Sequence, residues 1–153
     1  MSTWRDPERW RAWLRGDECP ICVGIGSEPA VAELEVSRLM MPEDGPMRGY
    51  AWLPTRRRVI ELHDLAEPEG AALMRDLRRV SAAIAGATGA VKLNYEIHGN
   101  TVPHLHVHVF PRYAGDPFEG APIDPRAVTQ PVYAVGEHAA LTRVVRDALS
   151  HAQ

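Results

Sequence analysis

Cysteine is nearly absent from the 153 residues: two occur, together, as Cys19-Pro20-Ile21-Cys22. That excludes the disulfide framework of a small secreted domain. No apolar run approaches the ~20 residues of a membrane helix. Asp6, Glu8, Asp17 and Glu18 stand where a signal peptide would have its apolar core, so a reduced, cytoplasmic setting without a membrane partner is expected. An excess of positive charge is also missing. Seventeen Lys and Arg against twenty Asp and Glu leave a formal charge of −3, which argues against stable nucleic-acid binding through a broadly basic surface. Arg56, Arg57 and Arg58 form a local exception, placed either to face phosphates or to end a strand in solvent. There is neither a compact acidic cluster nor a glycine loop of the phosphate-cradling kind. No repeat or linker divides the chain, and a domain of this length buries about two-thirds of its unfolded surface. The expectation is one domain over 1–153, with 1–31 as a helical and CxxC extension and 114–153 as a C-terminal loop and helix.

What is present alternates between strand and helix patterns. Pro7 opens a short helix carrying Trp10, Trp13 and Leu14 on one side, which Gly16 ends. Ala32 to Leu39 reads as one strand, Pro42 to Pro46 as turn chemistry, and Tyr50 to Leu53 as a strand closed by Pro54. After His63, Glu67 and Glu69 flank Pro68 at a helix start. Leu73, Leu77, Val80 and Ile84 then form one apolar stripe opposite Arg75, Arg78 and Arg79, and Gly86 and Gly89 mark the stop. Val91–Ile97 and His104–Phe110 read as neighbouring antiparallel strands around a short polar loop. A further helix runs from Glu137 to Leu149. The fold class is therefore α+β, with an antiparallel sheet of about five strands, a long helix and a C-terminal helix.

The segment His104-Leu105-His106-Val107-His108-Val109-Phe110 carries the chemistry. Alternation along a strand puts the three histidines on one face and the apolar residues on the other. A purely structural row is costly, because each buried ring nitrogen needs a partner. A single metal fits poorly, since His104 and His108 stand about 13 Å apart at roughly 3.3 Å per residue. Phosphoryl chemistry uses the row better. A neutral central imidazole attacks phosphorus while its other nitrogen is held by an acceptor, and flanking imidazoles bind phosphate oxygens or move a proton.

The stretch Asn94 to Tyr113 resembles the histidine triad (HIT) family, with His-x-His-x-His followed by apolar residues and Pro111-Arg112-Tyr113, an ending common in bacterial members. The order strand, long helix, asparagine-bearing strand, polar loop and histidine strand is similar too, from about Glu33 to Tyr113. The resemblance implies that His106 is the nucleophile forming a nucleotidyl-imidazole, that His104 lies beside the phosphate, and that His108 holds a phosphate oxygen or orients His106. It places Asn94 at ribose or beside a histidine, and Thr101 on the phosphate side. His98 is a loop residue able to meet the leaving phosphate. Lys92 and Arg112 can contact outer phosphates or serve as ordinary surface charge.

In zinc-containing members, the CxxC pair is joined by a histidine just past the second strand and one near the triplet. Here Pro54-Thr55-Arg56-Arg57-Arg58-Val59 stands at the first of these positions, and a guanidinium offers no lone pair. The resemblance therefore leaves two alternatives. The site is empty, or Cys19, Cys22, His63 and His104 hold a structural zinc that ties the N-terminal segment to the histidine strand. Without a conventional histidine, Arg58 is free for phosphate or solvent. No cofactor is required for the chemistry itself. The resemblance implies a hydrolase of dinucleoside polyphosphates such as diadenosine tetraphosphate, acting as a homodimer. Its alternatives are a nucleoside phosphoramidate hydrolase, a non-catalytic nucleotide-binding regulatory module, and a zinc-supported interaction protein.

Overall fold

The computed structural model describes residues 3–17, 19–23, 29–128 and 131–151. Helix α1, Pro7–Arg15, starts where the Asp6 carboxylate accepts the Arg9 amide at 3.0 Å and stops at left-handed Gly16. A short helix, α2, spans Pro20–Val23. Strands β1 (Ala32–Glu33) and β2 (Arg38–Leu39) form a hairpin. Strands β3 (Ala51–Pro54), β4 (Lys92–Ile97) and β5 (His106–Arg112) form an antiparallel sheet in the order β3-β5-β4. Bridges from Ser37 to Thr55 and from Met40 to Trp52 join the hairpin to β3, so among the described residues five short strands make up the sheet part of the α+β fold. The long helix α3 covers Glu67–Thr88, and α4 covers Glu137–His151.

Helices α3 and α4 cover one face of the sheet. Val80, Ile84, Leu141, Val145 and Leu149 from the helices meet Ala51, Leu53, Leu93 and Val109 from the strands in the main core. Burying each such aliphatic side chain is worth about 1.5–3 kcal/mol. The apolar stripe expected on α3 is the buried one, with Leu77 half-buried beside it. The helix runs through Gly86 and ends at Gly89, where φ is 68° and the glycine amide closes on the Ala85 carbonyl at 3.0 Å.

The expected strand over Ala32–Leu39 is corrected to a hairpin, and a carboxylate is the cause. Asp76, fully buried on α3, accepts the amides of Glu35, Val36 and Ser37 at 3.0–3.1 Å and the Ser37 hydroxyl at 2.8 Å. A carboxylate satisfied by consecutive amides fixes a turn where alternation alone suggested extension.

Pro111 sits inside β5, the middle strand, without breaking a ladder. Pairing with β3 covers only His106–Val109, so the side of Pro111 that lacks an N–H meets no strand. It meets Gly49 instead. There φ is 78°, and an added Cβ would lie 3.2 Å from the proline ring and 2.6 Å from the Thr88 methyl, so only glycine fits.

Replacing Asp76 by alanine strands several buried donors at once. Asp76→Ala is expected to cost about 3 kcal/mol or more in urea denaturation. A loss below about 1 kcal/mol would show that the 34–37 turn closes without the carboxylate.

Candidate functional site

The face of the sheet away from α3 and α4 is set by cross-strand register. His108 pairs with Trp52 on one side and Glu96 on the other, His106 with Pro54, Phe110 with Asn94, and Arg112 with Lys92. Directly paired residues share a face, so His106, His108, Asn94, Glu96 and Lys92 look the same way. The rings of His106 and His108 lie edge to face, 4.8 Å between centroids. Trp52 packs edge-on to His106 at 5.9 Å.

Each imidazole has a distinct hydrogen-bond assignment. His106 Nδ1 lies 2.6 Å from the His104 carbonyl oxygen. A carbonyl only accepts, so Nδ1 carries the hydrogen and Nε2 keeps a free lone pair. His108 Nδ1 lies 2.8 Å from the Tyr50 hydroxyl. Burial holds both imidazoles below the ordinary value of 6.5, His108 at about 4, with the neighbouring histidines adding to the effect. Both rings are therefore neutral near pH 7. Desolvation also raises the Tyr50 phenol well above its usual range.

His104 departs from the expected row. β5 begins only at His106. The His104 amide donates to the Val102 carbonyl, and the residue is 4% exposed. Its Nε2 donates to the Thr55 carbonyl at 2.8 Å, and Nδ1 lies 3.6 Å from Cys19 Sγ and 3.5 Å from Cys22 Sγ. His104 stands where the cysteine pair would need a metal ligand, and both its ring nitrogens are engaged there rather than open to the cleft. His98 takes the third place in the cluster instead. Its ring centroid is 5.8 Å from that of His108, and its Nε2 is 2.8 Å from Glu96 Oε2.

Cys19, Cys22 and His104 bring three ligand atoms within 4.8 Å of one another. Two thiols and an imidazole suit a soft divalent ion such as zinc. The Thr55 carbonyl leaves the Nδ1 lone pair of His104 turned to the sulfurs, which is the tautomer a metal requires. His63 does not join them among the described residues. Its side chain is 85% exposed and nearest to Asp64. Arg58 is committed in a different way from either expectation. Its Nη2 donates to the carbonyls of Trp13 and Leu14, at the end of α1, and weakly to that of Pro103 at 3.5 Å. Helix C-terminal carbonyls lack intrahelical donors and attract cations, so this guanidinium docks α1 beside the turn that leads to His104. Arg57 pairs with Glu69, and Arg56 donates to the Leu34 carbonyl.

Arg112 likewise has no donor left for a phosphate. Its five N–H groups go to the Asp116 carboxylate twice, to Asn94 Oδ1 at 2.6 Å, and to the carbonyls of Phe118 and Ala121. It folds the 113–121 loop against the sheet and fixes Asn94, so the guanidinium is buried rather than ordinary surface charge, one of its two readings, and no N–H is left open for the other, an outer phosphate. Lys92 Nζ returns to the Leu93 carbonyl at 2.6 Å. Thr101 is exposed in the loop before β5. A cavity of about 660 Å³ runs along the outer edge of β4, lined by residues from both faces of the strand, Leu93 and Tyr95 as well as Asn94 and Glu96, and by Arg112 and Tyr113; none of the clustered histidines lines it. Sequence reasoning missed Tyr50 and Glu96. Their signal was register: Glu96 stands directly across from His108, and Tyr50 two positions before Trp52.

Residues 28–115 match the family model of the HIT domain. A histidine triad protein from Bradyrhizobium japonicum superposes with a TM-score of 0.70 at 31% identity, covering 79% of this chain and 90% of its own. One from Sinorhizobium meliloti gives 0.68 at 26% identity, covering 78% and 87%. A Zn-bound histidine triad family protein from Mycobacterium smegmatis gives 0.63 at 22% identity over 87% and 94%, a likeness of fold alone. Among the described residues no helix is long and apolar enough to cross a membrane.

The neutral state of His108 links folding to pH. In the unfolded chain its imidazole takes a proton near 6.5, in the folded protein only near 4. The folded state binds fewer protons between those values, so the contribution is present in full above pH 6.5 and lost as pH falls toward 4. The melting temperature is expected to decline over that interval, less steeply in His108→Phe. Equal slopes for both proteins would show that His108 does not carry the effect.

Proposed function

This chain belongs to the HIT family, and from that membership we propose a nucleotide hydrolase in which His106 Nε2 attacks the α-phosphorus of a dinucleoside polyphosphate such as diadenosine tetraphosphate. The observation that carries the reading is the 2.6 Å hydrogen bond from His106 Nδ1 to the His104 carbonyl. It holds the ring in the tautomer with a free Nε2 and is placed to stabilise the positive charge that develops when that nitrogen bonds to phosphorus. In this reading the Tyr50 hydroxyl, 2.8 Å from His108 Nδ1, donates to it, which leaves His108 Nε2–H to bind a non-bridging phosphate oxygen. Thr101 lies on the loop that would border the phosphate. Asn94, held by Arg112 on the face shared by His106 and His108, is placed to meet the ribose. Water then releases the nucleoside monophosphate from His106.

Zinc, when bound at Cys19, Cys22 and His104, would be a structural link between the N-terminal segment and the turn before β5. The chemistry described here needs no cofactor. A homodimer is the partner reading. Among the described residues β4 is a sheet edge, and Tyr95 and Ile97 on it, Val91 just before it and Met74 on α3 are exposed. An unpaired apolar edge calls for cover. Sedimentation velocity at micromolar concentration is expected to give twice the chain mass, and a monomer there would contradict it.

The purified protein should release AMP from diadenosine tetraphosphate. His106→Ala should lose about a thousandfold or more with an unchanged melting temperature. Faster cleavage of adenosine phosphoramidate would move the substrate to that class. Nucleotide binding without turnover would replace the hydrolase with a regulatory binding module.

A further inference from the structure

The covalent step leaves one requirement that the buried imidazoles do not meet. When the bond from phosphorus to the leaving group breaks, the leaving atom gains an electron pair, and if it is basic it needs a proton. His106 Nε2 is the attacking atom. His104 has both nitrogens committed, to Thr55 and to the cysteine pair. His108 is neutral until about pH 4. The Tyr50 hydroxyl faces His108 and resists ionisation. Every N–H of Arg112 is taken.

His98 remains. It lies beside His108, and its side chain is 52% exposed, so water reaches its ring. It has an anchor as well, since Glu96 Oε2 lies 2.8 Å from Nε2. A carboxylate only accepts when ionised, so Nε2 carries the anchored hydrogen and Nδ1 is the nitrogen free to give and take a proton. Glu96 is itself fixed by β-sheet register opposite His108.

We propose that His98, oriented by Glu96, is the catalytic residue that protonates the leaving group, a role that rests on the hydrolase reading above. In the first step His98 enters with a hydrogen on each nitrogen, Nδ1 having taken one from water; His106 Nε2 forms the P–N bond, the bond to the leaving atom breaks, its electron pair stays on that atom, and the proton comes from His98 Nδ1. In the second, water adds to phosphorus and passes a proton to His98 Nδ1, while the P–N electron pair returns to His106. The imidazole ends as it began. Its contribution scales with the basicity of the leaving atom: large for an amine, small for a phenolate or for the weakly basic terminal oxygen of a polyphosphate.

The test compares two adenosine monophosphate derivatives, an alkylamine phosphoramidate and the p-nitrophenyl ester, for wild type, His98→Gln, Glu96→Gln and His106→Ala. His98→Gln is expected to lower kcat on the phosphoramidate about a hundredfold or more and on the ester less than about fivefold. Glu96→Gln, altering a positioning residue, should show the same selectivity with a smaller loss. His151→Gln, at an exposed imidazole on α4, should change neither. Equal losses on both substrates, or an unchanged phosphoramidate rate in His98→Gln, would overturn the assignment while leaving His106 in place. Full activity of His106→Ala on the ester, or no turnover of either substrate by wild type, would instead remove the hydrolase reading and this role with it.

Discussion

The hydrogen bond between His106 Nδ1 and the carbonyl of His104 is the interaction on which the site depends. It spans only two residues of one chain, so it forms wherever the backbone turns correctly before β5. A ring held this way has one nitrogen closed and one open, and burial keeps it neutral. Nucleophilic character therefore follows from a backbone oxygen rather than from a neighbouring base. The same logic, with the nitrogens exchanged, turns His104 away from the cleft: its Nε2 is closed by Thr55, and Nδ1 opens toward two sulfurs.

That backbone turn is held from several directions. Leu105 donates to the Val59 carbonyl, and its own carbonyl accepts from Thr55. Arg58 bridges the end of α1 to the Pro103 carbonyl. On the far side of the sheet, α3 and α4 bury the alternate residues of β5, so Val109 cannot rotate outward without exposing the core. Arg112 closes the last corner by gathering the 113–121 loop and Asn94. The cleft is thus a surface of mostly satisfied polar groups, and among those left open are His106 Nε2, the far nitrogen of His108 and, beside His108, the solvent-reached ring of His98.

Much of this was legible in the sequence because it rests on periodicity. The α3 stripe of Leu73, Leu77, Val80 and Ile84, the pairing of the two strands around the polar loop, and the common face of His106 and His108 all follow from repeats of 3.6 and 2. What escaped depends on long-range hydrogen bonds that no local pattern encodes. Asp76 reads as one more polar residue on a helix, yet it decides that 32–39 is a hairpin. Arg58 and Arg112 read as phosphate contacts or surface charge, yet backbone carbonyls and side-chain acceptors engage their donors. His104 obeys the alternation of its neighbours in sequence but leaves it in space, because Cys19, Cys22 and Thr55 offer its nitrogens partners on another side. The loop residue His98 reaches the site through Glu96, a partner visible only once β4 and β5 are in register.

The central claim concerns the tautomer of one ring, and nitrogen NMR reads it directly. In uniformly labelled protein near pH 7, two-bond 15N–1H correlations of the His106 imidazole are expected to show a protonated, pyrrole-like Nδ1 and an unprotonated, pyridine-like Nε2. A protonated Nε2 with a bare Nδ1, or an imidazolium at that pH, would mean that the His104 carbonyl does not set the nucleophile, and the account would fail at its base.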